Sequence, residues 1–302
     1  MEIDRAICRF EVQGQAHLGL IMGGALYDLT AAAPDTYGTL RGWLQAASGR
    51  VTVAIAELLA LAERLTPVAE AIGLLDGSTP FRLLKPLDAQ EVWAFGVTYE
   101  MSREARMRES EEPTIYGRVY EAERPEVFFK ATPHRVVGPG EAVGIRADST
   151  WDVPEAELAF VVTPHCEIVG YTIGNDMSSR SIEGENPLYL PQAKVYDRCC
   201  ALGPVVRLAG GFDPTNLEVN CAIERAGERV FEGRTSTGQL HRSLEEMASY
   251  LGRCNSFPDG AFVLTGTGVV PPDTFTLADG DIVRLQIAGL GELENPVVEL
   301  PL

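Results

Sequence analysis

The chain has 302 residues, 45% hydrophobic and 23% charged, the balance of a globular protein long enough for about two domains. Its 25 basic and 43 acidic residues leave a formal net charge of −18. A surface this acidic repels phosphate backbones, so no nucleic-acid partner is expected. No run approaches the ~18 consecutive apolar residues of a membrane span, and the opening MEIDRAICRF lacks the apolar stretch of a secretory signal. The expected setting is cytoplasmic, without a membrane partner.

In chain order, short alternating runs at Ile3–Val12, His17–Ile21 and Ala25–Leu29 predict a strand meander broken by glycine turns. Helical periods follow over Thr39–Ala47 and Val51–Leu65. The turn-rich connector GSTPFRLLKPLDAQ then suggests a domain boundary, dividing a small α/β unit (1–80) from a larger domain (81–302). From about Glu91 strand patterns dominate: Val92–Val97, Glu126–Lys130, Leu158–Thr163, Glu167–Ile173, Pro204–Leu208, Glu218–Glu224, Phe262–Thr265 and Ile282–Ile287. One helix stands out there, Ser243–Leu251, with Leu244, Met247, Ala248 and Leu251 on one face. The absence of βαβ alternation excludes a Rossmann fold or a (β/α)₈ barrel and predicts an α+β, mostly β chain.

The chemistry-bearing residues are few. Six cysteines show no C-x-x-C and read as buried thiols. The three lysines, Lys85, Lys130 and Lys194, stand out against an arginine-rich background. In VPEAELAFVV, strand alternation puts Glu155 and Glu157 on one face with Ala159 and Val161. Two adjacent carboxylates repel unless they are solvated or share a cation. A strand ending GYTIGNDMSSR should then expose Asp176 at its turn. Two glutamates and an aspartate suit Mg²⁺ or Mn²⁺; the bland alternative is a solvent-facing E-x-E with Asp176 capping a turn. Lys194, in a turn-rich apolar stretch, is expected to have a lowered pKa and to carry protons.

From about Phe81 onward, the elements GVTYEMSREAR, FFKATPHRVVGPGEAV, Glu155/Glu157, GYTIGNDMSSR, QAKVYDRCCALGP and LTGTGVVPPDTFTLADGDIV occur together and in order. In this the chain resembles the fumarylacetoacetate hydrolase superfamily. The resemblance implies a β-roll catalytic domain behind a small α/β N-terminal domain. It implies a divalent cation on Glu155, Glu157 and Asp176, with Mg²⁺ the expected ion and Mn²⁺ or Ca²⁺ able to substitute. It also implies an oxo-acid substrate contacted by Arg180, Lys194 and the Thr265–Thr267 turn, and assembly as a homodimer or homotetramer.

One departure bears on the reaction. Hydrolytic members carry a histidine three residues after the tyrosine of the first element, where this chain has Ser102, and a serine has no pKa near neutrality with which to activate water. The stretch GENPLYLPQAKVYDRC instead resembles the branch that dehydrates 2-keto-3-deoxy sugar acids, in which a glutamate matching Glu126 lies near the substrate. The expected reaction is dehydration of a 2-keto-3-deoxy-pentonate, arabinonate or xylonate, to 2,5-dioxopentanoate. Lys194 and Glu126 are the expected proton carriers; Arg180, Ser102, Lys130, Thr267 and Glu183 are the expected substrate contacts. The alternative is a C–C hydrolase or oxo-acid decarboxylase on the same metal site, with His134 or Glu126 activating water.

Overall fold

The structure is a computed structural model that describes residues 3–110 and 112–302. Its largest sheet has twelve strands among the described residues. The order along the main path is Ala69–Glu70, Ala25–Asp28, Gln15–Met22, Ala6–Val12, Cys200–Leu208, Ile168–Asp176, Ala156–Val162, Ala261–Leu264, Glu91–Gly96 and Glu126–Ala131. The N-terminal meander therefore continues into the larger sheet, with Ala6 and Ile7 paired to Arg207 and Val206. A second sheet of five strands runs Glu228–Ser236, Glu218–Arg225, Ile282–Ile287, Gly291–Leu300 and Val143–Arg146. The fold is α+β and mostly β, as the strand patterns predict.

The central strand Ala156–Val162 is buried along its whole length. Leu158, Phe160 and Val162 join Phe262, Leu264, Ile173 and Leu202 in one continuous core. Its antiparallel neighbours are Ile168–Asp176, with Ala156 opposite Asn175 and Glu157 opposite Gly174, and Ala261–Leu264. This register seats Glu155 and Glu157 beside the C-terminal end of the Asp176 strand. The Asp176 amide donates to the Glu155 carbonyl at 3.1 Å.

The helix at Leu244–Leu251 buries Leu244, Met247, Ala248 and Leu251, as its spacing predicts. Two further helices, Glu100–Glu109 and Pro113–Glu121, lie where no helix is predicted from the sequence. The first, EMSREARMRE, buries Ser102, Ala105 and Arg106, whereas Met101 and Met107 are exposed. A helix whose inward face carries a serine and an arginine lacks the apolar periodicity by which a helix is read from sequence. No helix of the described residues is long and apolar enough to cross a membrane.

Candidate metal and substrate site

Glu155, Glu157 and Asp176 converge. Each offers a carboxylate oxygen within 4.8 Å of the others', and their exposures of 4%, 1% and 1% rule out a solvent-facing pair. The residues around them form a dense ion-pair network. Arg106 reaches Glu109 (2.7 Å), Glu155 (2.6 Å) and Glu183 (3.3 Å). Arg180 reaches Glu155 (2.8 Å) and Glu109 (3.2 Å). Lys194 Nζ donates to Glu155 Oε2 (2.8 Å), Asp176 Oδ2 (3.2 Å) and Ser178 Oγ (2.6 Å).

Four cations thus meet four carboxylates, counting Lys130 on Asp176. Two carboxyl groups are left over. Glu157 has no ion pair among the described residues; its Oε2 accepts the Gly266 amide at 2.6 Å. Burial, then the neighbouring Asp176 and Glu155, push its pKa well above the ordinary range. Glu126, half-buried at the start of its strand, is pushed up to about 7 by desolvation and by Glu183, against the opposing pull of Lys194 and Arg106. A buried acid lacking a cation beside two other carboxylates fits a divalent ion, which would bring the two positive charges the network lacks.

The side chains frame a cavity of about 30 Å³, room for about one water molecule. Ser102, Arg106, Glu126, Phe128, Glu155, Asp176, Glu183, Lys194 and Thr267 are among its lining residues. A larger cavity of about 1050 Å³ lies between the N-terminal unit and the second sheet, around Ile72, Phe81 and Pro204, and holds none of these groups. Placement of titratable side chains, not size, marks the functional cavity.

Several sequence-level expectations need correction in their details. Lys194 is buried, and burial alone lowers an ammonium pKa, but Asp176 and Glu155 outweigh it and the net shift is upward; the lysine is an ammonium, not a free amine. Lys130 does not line the cavity: its Nζ donates to Met177 O at 2.9 Å and to Lys194 O, and it pairs with Asp176. The Ser102 hydroxyl caps its own helix, donating to Tyr99 O at 2.8 Å and accepting from Tyr99 N at 3.3 Å. The Thr267 hydroxyl donates to Ala156 O at 2.9 Å and accepts from Val269 N at 3.1 Å, so this hydroxyl is already committed within the protein. His134 sits in a 3₁₀ turn, bonded to Thr132 Oγ1 at 2.9 Å and outside the cavity lining.

Sequence reasoning missed Arg106 and Glu109. Arg106 closes the GVTYEMSREAR element one helical turn after Ser102, and that i, i+4 spacing was the available signal. The fumarylacetoacetate (FAA) hydrolase C-terminal signature matches residues 92–298. The chain belongs to the fumarylacetoacetate hydrolase family. It is 49% identical over 290 residues to a probable 2-keto-3-deoxyxylonate dehydratase of Haloferax volcanii, covering 95% of this chain and 96% of the relative. It is 48% identical over 224 residues to the 2-dehydro-3-deoxy-D-arabinonate dehydratase of Saccharolobus solfataricus, covering 72% and 74%. Among solved structures, 2-keto-3-deoxy-D-arabinonate dehydratase complexed with magnesium and 2,5-dioxopentanoate superposes with a TM-score of 0.82 at 35% identity, over 98% of this chain and all of that one.

Proposed function

We propose that this member of the family is a Mg²⁺-dependent hydro-lyase that converts a 2-keto-3-deoxy-pentonate, arabinonate or xylonate, to 2,5-dioxopentanoate and water. The observation that carries the reading is the pair of carboxyls without an ion pair among the described residues: Glu157 within the acidic triad, and Glu126 near neutrality in the adjoining cavity. Similarity to the two dehydratases over most of the chain supports it.

Glu155, Glu157 and Asp176 would hold the cation. When bound, it supplies Lewis-acid polarisation of a 2-keto acid, which makes a C3 proton removable. Glu126, poised near 7, takes that proton; a base with this pKa can both accept and return protons at neutral pH. Lys194, as an ammonium, donates to the departing C4 hydroxyl, which leaves as water. Loss of a proton from C5 and of the C5 hydroxyl proton, with return of protons to C3 and C4, then turns the C5 alcohol into an aldehyde, with one water lost overall. Arg106, Arg180 and Glu183 surround these groups and orient the substrate's polar end. Lys130, spending its donors on Asp176 and two backbone carbonyls, fixes the Asp176 ligand and the Lys194 backbone. No nucleophilic water is needed, which accords with a serine at 102 occupied in helix capping.

Assembly as a homodimer or homotetramer belongs to the same reading, as does a cytoplasmic setting, supported by six cysteines that are all free thiols. A substrate panel tests the reaction class. Turnover of 2-keto-3-deoxy-pentonates with acetylpyruvate left intact is expected; rapid cleavage of acetylpyruvate with every 2-keto-3-deoxy acid untouched would replace the dehydratase by a hydrolase.

A further inference from the structure

Gly96 and Glu126 are direct partners across an antiparallel ladder, at the ends of the Glu91–Gly96 and Glu126–Ala131 strands. Both line the 30 Å³ cavity with Lys194 and Glu183. A Cβ built on Gly96 would stand 2.0 Å from Glu126 Oε2, 2.7 Å from its Cδ and 3.3 Å from its Cγ; the three nearest atoms all belong to that one carboxyl arm. Gly96 is not among the residues with positive φ, so an alanine could adopt its backbone. What the glycine contributes here is room. Gly266, by contrast, combines φ +89° with Thr98 Oγ1 at 2.0 Å, and there the conformation matters as well.

The Glu126 carboxyl makes no hydrogen bond or ion pair among the described residues, so no polar partner fixes its position. We propose that Gly96 is a positioning residue for Glu126: the side chain it lacks is the notch in which the Glu126 carboxyl stands, and any β-carbon there drives that carboxyl out of the cavity. The inference rests on the dehydratase reading only for what the displaced carboxyl does. The collision falls on the far end of a flexible side chain, so the fold can absorb the substitution while the carboxyl cannot keep its place. Separations below 3.0 Å to a Cβ are essentially never seen, so the retreat from 2.0 Å is about 1 Å or more, and a misplacement of ~1 Å at a reacting group can cost about 10²-fold in rate.

A double-mutant cycle tests this. Gly96→Ala is expected to lower kcat about 100-fold, with KM and Mg²⁺ affinity by calorimetry close to wild type. The same change in a Glu126→Gln background should lower kcat no further. Glu126→Asp, one methylene shorter, should restore part of the turnover lost to Gly96→Ala. Equal losses from Gly96→Ala in the wild-type and Glu126→Gln backgrounds overturn the proposal. A substrate-free arm separates it from the reaction assignment: Gly96→Ala should melt below wild type, whereas the Gly96→Ala/Glu126→Ala double variant should melt with Glu126→Ala alone, because no carboxyl is left to collide. A loss that persists in that double variant overturns the proposal whatever the substrate proves to be.

Discussion

The Gly266 amide donates to Glu157 Oε2 at 2.6 Å, and among the described residues that is the one hydrogen bond or ion pair of this buried carboxyl. Glu155 pairs with Arg106, Arg180 and Lys194, and Asp176 with Lys130 and Lys194; Glu157 pairs with no cation among the described residues. Its pKa is raised by burial and then by Asp176 and Glu155, which favours a proton on this carboxyl in the metal-free protein. A cation must displace that proton, since ligating carboxylates are ionised. Adding Mg²⁺ to chelator-stripped protein should therefore release protons, and the apparent affinity should rise with pH. Glu157→Gln should abolish both effects. Calorimetry in buffers of different ionisation enthalpy measures the proton count; a count of zero contradicts the assignment.

Arg106 bridges Glu109, Glu155 and Glu183 from a buried position. Removing it leaves buried carboxylates uncompensated, which typically costs about 3–5 kcal/mol. Arg106→Ala should lower the melting temperature clearly and suppress turnover. Arg106→Lys should recover stability only in part, because an ammonium cannot span three carboxylates in the plane a guanidinium provides. Chemical denaturation checks this, and an unchanged midpoint for Arg106→Ala would show the network to be ornamental.

Ser102 and Lys194 make a contrasting pair. The Ser102 hydroxyl is tied to Tyr99 N and O at the start of its helix, so Ser102→Ala should cost about 1 kcal/mol of stability, the value of a helix cap, and little turnover. Lys194→Ala removes a proton donor next to the triad and should lower kcat by about 10²–10⁴. Paired kinetic and thermal measurements on the two variants separate the roles. A Ser102→Ala loss as deep as that of Lys194→Ala would mean the hydroxyl handles substrate.

Glu126 couples stability to pH. Its carboxyl rises to about 7 in the folded chain from about 4.3 in an unfolded one. Between these values the folded state binds more protons, so stability falls as pH rises through the window and stays lower above it. Glu126→Gln should therefore raise the stability of the metal-free protein by about 1–3 kcal/mol at pH 8, less than the full shift implies because the residue is half-buried. At pH 4 the gain should vanish. Urea titrations at the two pH values measure the difference, and a gain equal at both would contradict a raised Glu126.

Part of this was legible in the sequence, for physical reasons. Strand alternation places Glu155 and Glu157 on one face without any structure, and the turn after GYTIGND brings Asp176 within reach. Short apolar runs between glycine- and proline-rich turns also mark the buried central strands. The edge strand Glu228–Ser236 escaped because it is exposed along most of its length and has no apolar face, and the helix Glu100–Glu109 because its buried face is polar. The fate of the lysines was equally hidden. Lys130 ends on backbone carbonyls of Met177 and Lys194, and Lys194 keeps its proton because two carboxylates brought by other strands outweigh burial. Spacing along one chain carries no record of such partners.

In the proposed reaction, proton transfer by Glu126 and Lys194 beside a divalent cation dehydrates a 2-keto-3-deoxy-pentonate. The most direct test is to follow that substrate by NMR in deuterated water with the protein and Mg²⁺. Stoichiometric 2,5-dioxopentanoate carrying solvent deuterium at C3 and C4 is expected, with no product in excess chelator. Unchanged substrate, or a product whose C3 and C4 carry no deuterium beyond the rate of uncatalysed exchange, would contradict it.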